Sequence, residues 1–159
     1  MTFKTADLCD ASEGRVQVVQ PGLINFGGRP RFHGEMVTVR ALGDFSRVRE
    51  QVRLPGNGKV LVVDNEASLA CAMLGDLLAA AASENGWQGV VINGCIRDAA
   101  DVASMDIGVK ALATNPLRGA RDGGGEINVE VEFLAAVFRP GEYLYSDEDG
   151  ILLSPTSLF

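Results

Sequence analysis

At 159 residues, 47 % apolar and 22 % charged, the chain fits one soluble domain that buries about two thirds of its unfolded surface without staples. That excludes a disordered tail, a collagen-like rod and a disulfide-dense miniprotein; no run reaches the ~20 apolar residues of a membrane span, and Met1 to Asp7 reads as no signal-peptide core. Fourteen Lys and Arg against 21 Asp and Glu give a net charge of −7, which argues against direct nucleic-acid binding and tolerates a basic protein partner.

Residues 7–13 are expected as a short helix anchored by Leu8 and Ala11, and 16–19 as a short β-branched strand. Residues 22–34, with Asn25-Phe26-Gly27-Gly28-Arg29-Pro30, read as an irregular loop. Residues 35–40 alternate like a strand with one wet face, and Phe45, Val48 and Val52 follow at helical spacing before the turn at 55–58. Val60-Leu61-Val62-Val63, ending at Asp64, predicts a buried strand. The Ala- and Leu-rich stretch 67–84 is interrupted by Gly75-Asp76. Gly is a poor interior helix residue and Asp a favoured N-cap, so the stretch divides into a short segment to Leu74 and a helix from about Leu77 to Glu84, closed by Asn85-Gly86. Val90-Val91-Ile92 predicts a second buried strand ending at Asn93-Gly94. Asp98 opens a short helix with Ala99, Val102 and Met105, and 107–113 reads as a strand. Gly123-Gly124-Gly125 is a loop, 127–131 an amphipathic strand, 135–138 a strand turned at Pro140-Gly141, and 143–153 a terminal hairpin. The sum is a mixed α/β domain with strand–helix units between antiparallel strands.

Three features carry chemistry. Gly75-Asp76-Leu77-Leu78 at a helix start offers backbone amides without internal partners, an anion site that a carboxylate fits, and Gly75 lets a ligand approach closely. Arg97, just past a buried strand, offers a planar fork to a carboxylate or keto oxygen. Asp98 beside it suits magnesium or manganese, which accept one or two carboxylates and complete their shell with waters. Each has a plain structural reading too: Asp76 as a cap, Arg97 and Asp98 as a surface ion pair or a helix start. Cys9, Cys71 and Cys95, an odd number with no Cys-x-x-Cys spacing, predict reduced thiols in a cytoplasmic protein rather than a zinc site. His33 is the only histidine and reads as a surface residue. Lys4, Lys59 and Lys110 are the only lysines, and none sits among the three features.

Asp76, twenty intervening residues and then Arg97-Asp98 match the Asp-X20-Arg-Asp signature of a class II pyruvate aldolase family. Thr5-Ala6-Asp7-Leu8-Cys9-Asp10, Asn25-Phe26-Gly27-Gly28-Arg29, Val60-Leu61-Val62-Val63-Asp64, Trp87-Gln88-Gly89 and Ile151-Leu152-Leu153-Ser154 also resemble its short members. The family is that of the 4-hydroxy-4-methyl-2-oxoglutarate / 4-carboxy-4-hydroxy-2-oxoadipate aldolases, homologous to regulator of ribonuclease E activity A. The resemblance implies one swivelling ββα (phosphohistidine-like) domain over residues 1–159, assembled as trimers, or hexamers built as pairs of trimers, with sites at subunit interfaces. It implies that pyruvate binds the amides of Gly75, Asp76, Leu77 and Leu78 and the Arg97 guanidinium. It further implies that Asp98 binds a divalent ion, usually magnesium, and that Asp76 holds a water on that ion for proton transfer. Arg97 and Asp76 are then the catalytic pair. The implied reaction cleaves a 4-hydroxy-2-oxo acid to pyruvate, with oxaloacetate decarboxylation alongside. The second expectation is a regulator that binds and inhibits ribonuclease E. The family's longer aldolases supply an acidic residue to the neighbouring site from an extra C-terminal region, and no residue of this chain is matched to it.

Overall fold

Val60-Leu61-Val62-Val63 is apolar at every position because the strand it forms is covered on both faces. The computed structural model describes residues 2–159; Met1, the first residue of the stretch read for a leader, lies outside them. The first half runs α1 (Thr5–Ala11), β1 (Gln17–Val18), β2 (Ile24–Asn25), β3 (Phe32–Arg40), α2 (Ser46–Val52), β4 (Val60–Asp64) and α3 (Asp76–Glu84). The second half runs β5 (Gly89–Ile96), α4 (Ala99–Val102), β6 (Gly108–Thr114), β7 (Glu126–Ile127), β8 (Val131–Phe133), β9 (Ala136–Phe138), β10 (Tyr143–Ser146) and β11 (Ile151–Ser154).

Strands β3, β4, β5 and β6 pair in parallel, so three strand–helix–strand units place α2, α3 and α4 between them. Antiparallel partners extend the sheet on both sides, in the order β1-β11-β10-β3-β4-β5-β6-β2, with β7 also on β3. Side chains alternate along β4. Leu61 and Val63 pack with Val48, Val52, Ala79, Ala82 and Val102 of the helices, while Val60 and Val62 pack with Val131, Phe133 and Phe138 of the β8–β9 hairpin. The single tryptophan, Trp87, lies in the first of these clusters, 3 % exposed, and its indole N–H donates to Leu54 O at 3.1 Å.

Four expectations change. Residues 22–34 are not all loop: Ile24 and Asn25 pair with Ala111 and Lys110, and β3 already begins at Phe32. Strand β5 does not stop at Asn93-Gly94 but runs to Ile96, across a register shift between Ile92 and Cys95. Asn93 is tolerated inside because its amide donates to Asp64 Oδ1 at 2.9 Å. Residues 127–131 are two strands rather than one, broken at Asn128, whose φ is +54°. His33 is not a plain surface residue either: its ring stacks on Tyr145 at 5.8 Å, beside Phe3 and Phe159. All three cysteines are free, and no helix among the described residues is long and apolar enough to cross a membrane.

Candidate active site

The strand ends beyond β4 and β5 are tied together by a layer of backbone bonds that sequence periodicity does not show. Met73 N–H donates to Cys95 O and Arg97 N–H to Leu74 O, each at 2.9 Å. Ala72 N–H donates to Leu117 O at 2.7 Å and Gly119 N–H to Ala72 O at 2.9 Å. Phe45 N–H in turn donates to Ala120 O at 2.8 Å. Residues 43–45, 118–120, 72–74 and 95–97 therefore lie side by side, and all four segments border one cleft of about 290 Å³.

Gly75, Asp76, Leu77, Leu78, Arg97 and Asp98 all line that cleft. Gly75, rather than Asp76, is the N-cap of α3, and Asp76 is the first helical residue. The first backbone bond of the helix runs from Ala79 N–H to Gly75 O, which leaves three amides without helical partners. Asp76 N–H donates to Asp98 Oδ2 at 3.0 Å, and Leu77 N–H to Asp76 Oδ1 at 2.8 Å. Asp98 thus reaches across from the end of β5 to the positive end of α3, a favourable place for a carboxylate. The Asp76 amide and the Arg97 charge together hold its carboxyl below the usual carboxylate range. Asp98 sits at φ +56°, a left-handed conformation that Asp tolerates better than most residues.

Gly75 is what allows the convergence. A Cβ there would lie 2.6 Å from Asp98 Oδ2 and 3.3 Å from Arg97 Cγ. Arg97 spends only one long hydrogen bond, 3.4 Å from Nη1 to Pro116 O, and joins no salt bridge among the described residues, so its fork stays available. Arg97 and Asp98 form no surface ion pair, whereas the helix-start reading matches: Asp98 is the N-cap of α4.

The cleft also has a rim that sequence reading missed: Arg49 on α2, Arg53 at its C-terminal cap, and Arg118 and Arg121 after β6. The signal for half of it was present, since the Phe45, Val48, Val52 spacing fixes which face of α2 is buried. The other half needed the bridge between Ala72 and Arg118. Beneath the rim, the buried Asp44 accepts from Ser46 N–H at 2.8 Å, Asp122 N–H at 2.8 Å and Gly124 N–H at 3.0 Å. Burial pushes its pKa up, but these hydrogen bonds outweigh burial and bring it down to about 2. His33 and Lys110 are outside the cleft; Lys110 is buried in β6 and donates to Asp147 O at 2.6 Å.

Four parallel central strands, a helix start, an unpaired guanidinium and a carboxylate at the strand ends make this cleft the candidate site for a small anionic ligand. The model of the RraA-like family, described as Aldolase/RraA, matches residues 5–153, and the chain belongs to that family. The "Putative 4-hydroxy-4-methyl-2-oxoglutarate aldolase" of Pseudomonas fluorescens is 53 % identical over 98 % of this chain and 96 % of its own. Among solved structures, an S-adenosylmethionine:2-dimethylmenaquinone methyltransferase from Geobacillus kaustophilus is 41 % identical, with a TM-score of 0.96 over 98 % of this chain and 97 % of that one. The RNA-processing inhibitor RraA from Thermus thermophilis is 39 % identical, with a TM-score of 0.96 over 100 % of this chain and 96 % of that one.

Proposed function

We propose that the protein is a divalent-metal-dependent lyase that cleaves 4-hydroxy-4-methyl-2-oxoglutarate to two pyruvates, or 4-carboxy-4-hydroxy-2-oxoadipate to pyruvate and oxaloacetate, and decarboxylates oxaloacetate as a side reaction. The observation that carries this reading is the meeting of Arg97, Asp98 and the α3 amides across Gly75. The donor chemistry fits magnesium or manganese. Asp98, with Asp76 beside it, offers hard carboxylate oxygen, and no group of three His, Cys, Asp or Glu forms a closed cage among the described residues. Magnesium commonly takes one or two carboxylates and fills the rest of its shell with water and substrate oxygens.

The bound ion supplies Lewis acidity to the 2-oxo acid end of the substrate. The Leu78 amide, the one of the three whose N–H is not already bonded to a carboxylate, receives the substrate carboxylate, and Arg97 faces the 2-oxo oxygen on which negative charge grows. Asp76 Oδ1 is occupied by Leu77 N–H, so Oδ2 is the oxygen that orients a water to take the C4 hydroxyl proton. The C3–C4 bond then breaks, its electrons pass to the pyruvyl fragment, and a proton returns to C3. A methyl donor of the sulfonium type is cationic and fits poorly in a cleft with five arginines and two aspartates.

Leu77, on the lining of the cleft, stands 80 % exposed, which suits a homotrimer with sites at its interfaces. Light scattering tests that assembly. Pyruvate release from 4-hydroxy-4-methyl-2-oxoglutarate, with and without magnesium, tests the reaction; full activity after thorough metal removal sinks it. The 39 % identical RNA-processing inhibitor supports a second reading, a regulator that binds ribonuclease E. Failure to retain that ribonuclease in a pull-down counts against it.

A further inference from the structure

Ten of the eleven arginines divide into two populations; the eleventh, Arg15, is exposed just past α1, where it donates to Ala11 O at 2.8 Å. Arg29, Arg31, Arg40, Arg47 and Arg139 each lie within 4.0 Å of a carboxylate. Arg49, Arg53, Arg97, Arg118 and Arg121, the five that line the cleft, form no salt bridge among the described residues. In a protein of net charge −7 carboxylates are plentiful, so this segregation is not a shortage of partners. Like charges gathered in one cleft repel one another, and Arg49 and Arg53 do so one helical turn apart. The arrangement is relieved when an anion enters.

Arg97 and the α3 amides already provide for one carboxylate and its 2-oxo group. The remaining four arginines come from other elements, α2 and the segment after β6, and they are organised. Arg118 lies over the Phe45 ring, its guanidinium carbon 5.8 Å from the centroid. Arg49 follows one turn later, its N–H bonded to Phe45 O at 3.0 Å. The ring is 8 % exposed and gives the Arg118 guanidinium its footing, while Arg49, from the first turn of α2, lines the same cleft.

We propose that Arg49 and Arg118, set around Phe45, are specificity-determining residues that receive the second carboxylate of the substrate, so that the site selects dicarboxylic 2-oxo acids over monocarboxylic ones. The inference rests on the lyase reading for its choice of ligand, but it is tested without turnover. 2-Oxoglutarate and 2-oxopentanoate have the same chain length and differ in a carboxylate against a methyl, and neither carries the C4 hydroxyl that cleavage needs. Calorimetric titration of each into the magnesium-loaded protein gives an affinity ratio. The expected ratio is about tenfold or more in favour of 2-oxoglutarate, the scale of one charge-assisted contact. Arg118→Gln and Arg49→Gln each reduce the ratio, and the double variant brings it close to one. Arg139→Gln, which removes the same charge outside the cleft, leaves it unchanged. Both arginines are on the surface of the cleft, and retention of the wild-type melting temperature shows the variants are folded. A wild-type ratio near one, or a ratio that survives the double variant, overturns the proposal. Absence of pyruvate release from 4-hydroxy-4-methyl-2-oxoglutarate with the binding ratio intact overturns the lyase reading alone.

Discussion

Replacing Gly75 with alanine separates the site from the fold. The residue has φ −136° and ψ −163°, extended backbone that alanine adopts without strain. Its new Cβ, however, would start 2.6 Å from Asp98 Oδ2, where ordinary contact begins at 3.4 Å. The Asp98 carboxylate must retreat by nearly an ångström, and Arg97, with Cγ at 3.3 Å and Nε at 3.4 Å, is pressed as well. Both are flexible side-chain atoms, so the fold yields cheaply. The change forfeits the bond from Asp76 N–H to Asp98, about 1–2 kcal/mol, and regains about 0.4–1 kcal/mol by restricting the unfolded chain. The net cost is about 0–1.6 kcal/mol, at roughly 2–4 °C in Tm per kcal/mol a shift of no more than about 6 °C for a domain this size. Activity responds on another scale, because misplacing reacting groups by ~1 Å costs about a hundredfold. Thermal melts and kcat/KM for pyruvate release, measured side by side, check both halves. A Gly75→Ala protein with kcat/KM within threefold of wild type refutes the argument that Gly75 sets the approach of Asp98 and Arg97.

Asp98→Asn retains a side chain suited to φ +56° and removes the charge, so it is expected to fold normally and to lose turnover by about a thousandfold or more; circular dichroism and the pyruvate assay decide. Exhaustive chelation should abolish turnover in the wild type and added magnesium restore it. Asp44→Asn turns an amide toward the N–H groups of Asp122 and Gly124. The fall of its pKa from 3.8 to about 2, discounted for solvent screening, is worth about 1–2 kcal/mol at neutral pH. Because the folded pKa is the lower one, that contribution is complete above pH 3.8 and lost as the pH falls through about 2; the gap between wild-type and variant denaturation midpoints should close over that window and not at higher pH. Gly108→Ala would place a methyl group inside the Phe32 ring, which is 1 % exposed, and should cost about 3 kcal/mol or leave the protein insoluble; a Tm lowered by only about 1–2 °C contradicts this packing.

The heart of the site was legible because its signals are local. An apolar run ending at Asp64, a Gly-Asp pair inside an Ala-rich stretch and an Arg-Asp pair after a buried strand each announce a strand end or a helix start. The illegible part depends on contacts between distant segments. Asn93 looked like a strand terminus, and only its bond to Asp64 Oδ1 explains why β5 continues through it. Residues 22–34 looked irregular because Ile24 and Asn25 pair with Ala111 and Lys110 far along the chain. The rim as a whole was hidden for the same reason: the spacing of Phe45, Val48 and Val52 oriented Arg49, but Arg118 lies 69 positions further on and reaches the same cleft only through the bridges that join 43–45, 118–120 and 72–74. His33 was misread because its aromatic neighbours, Phe3, Tyr145 and Phe159, come from both ends of the chain.

Trp87 gives the protein a built-in optical reporter. It is the only indole in the chain, and it is sealed where α3 gives way to β5, tethered to Leu54 just past α2. Its emission therefore reports on one joint, that between the helix carrying Arg49 and the helix carrying Asp76. A red shift means that joint has opened to water and the two sides of the cleft have parted. Unchanged emission in a variant with no turnover locates the damage in the chemistry of the cleft rather than in the scaffold beneath it.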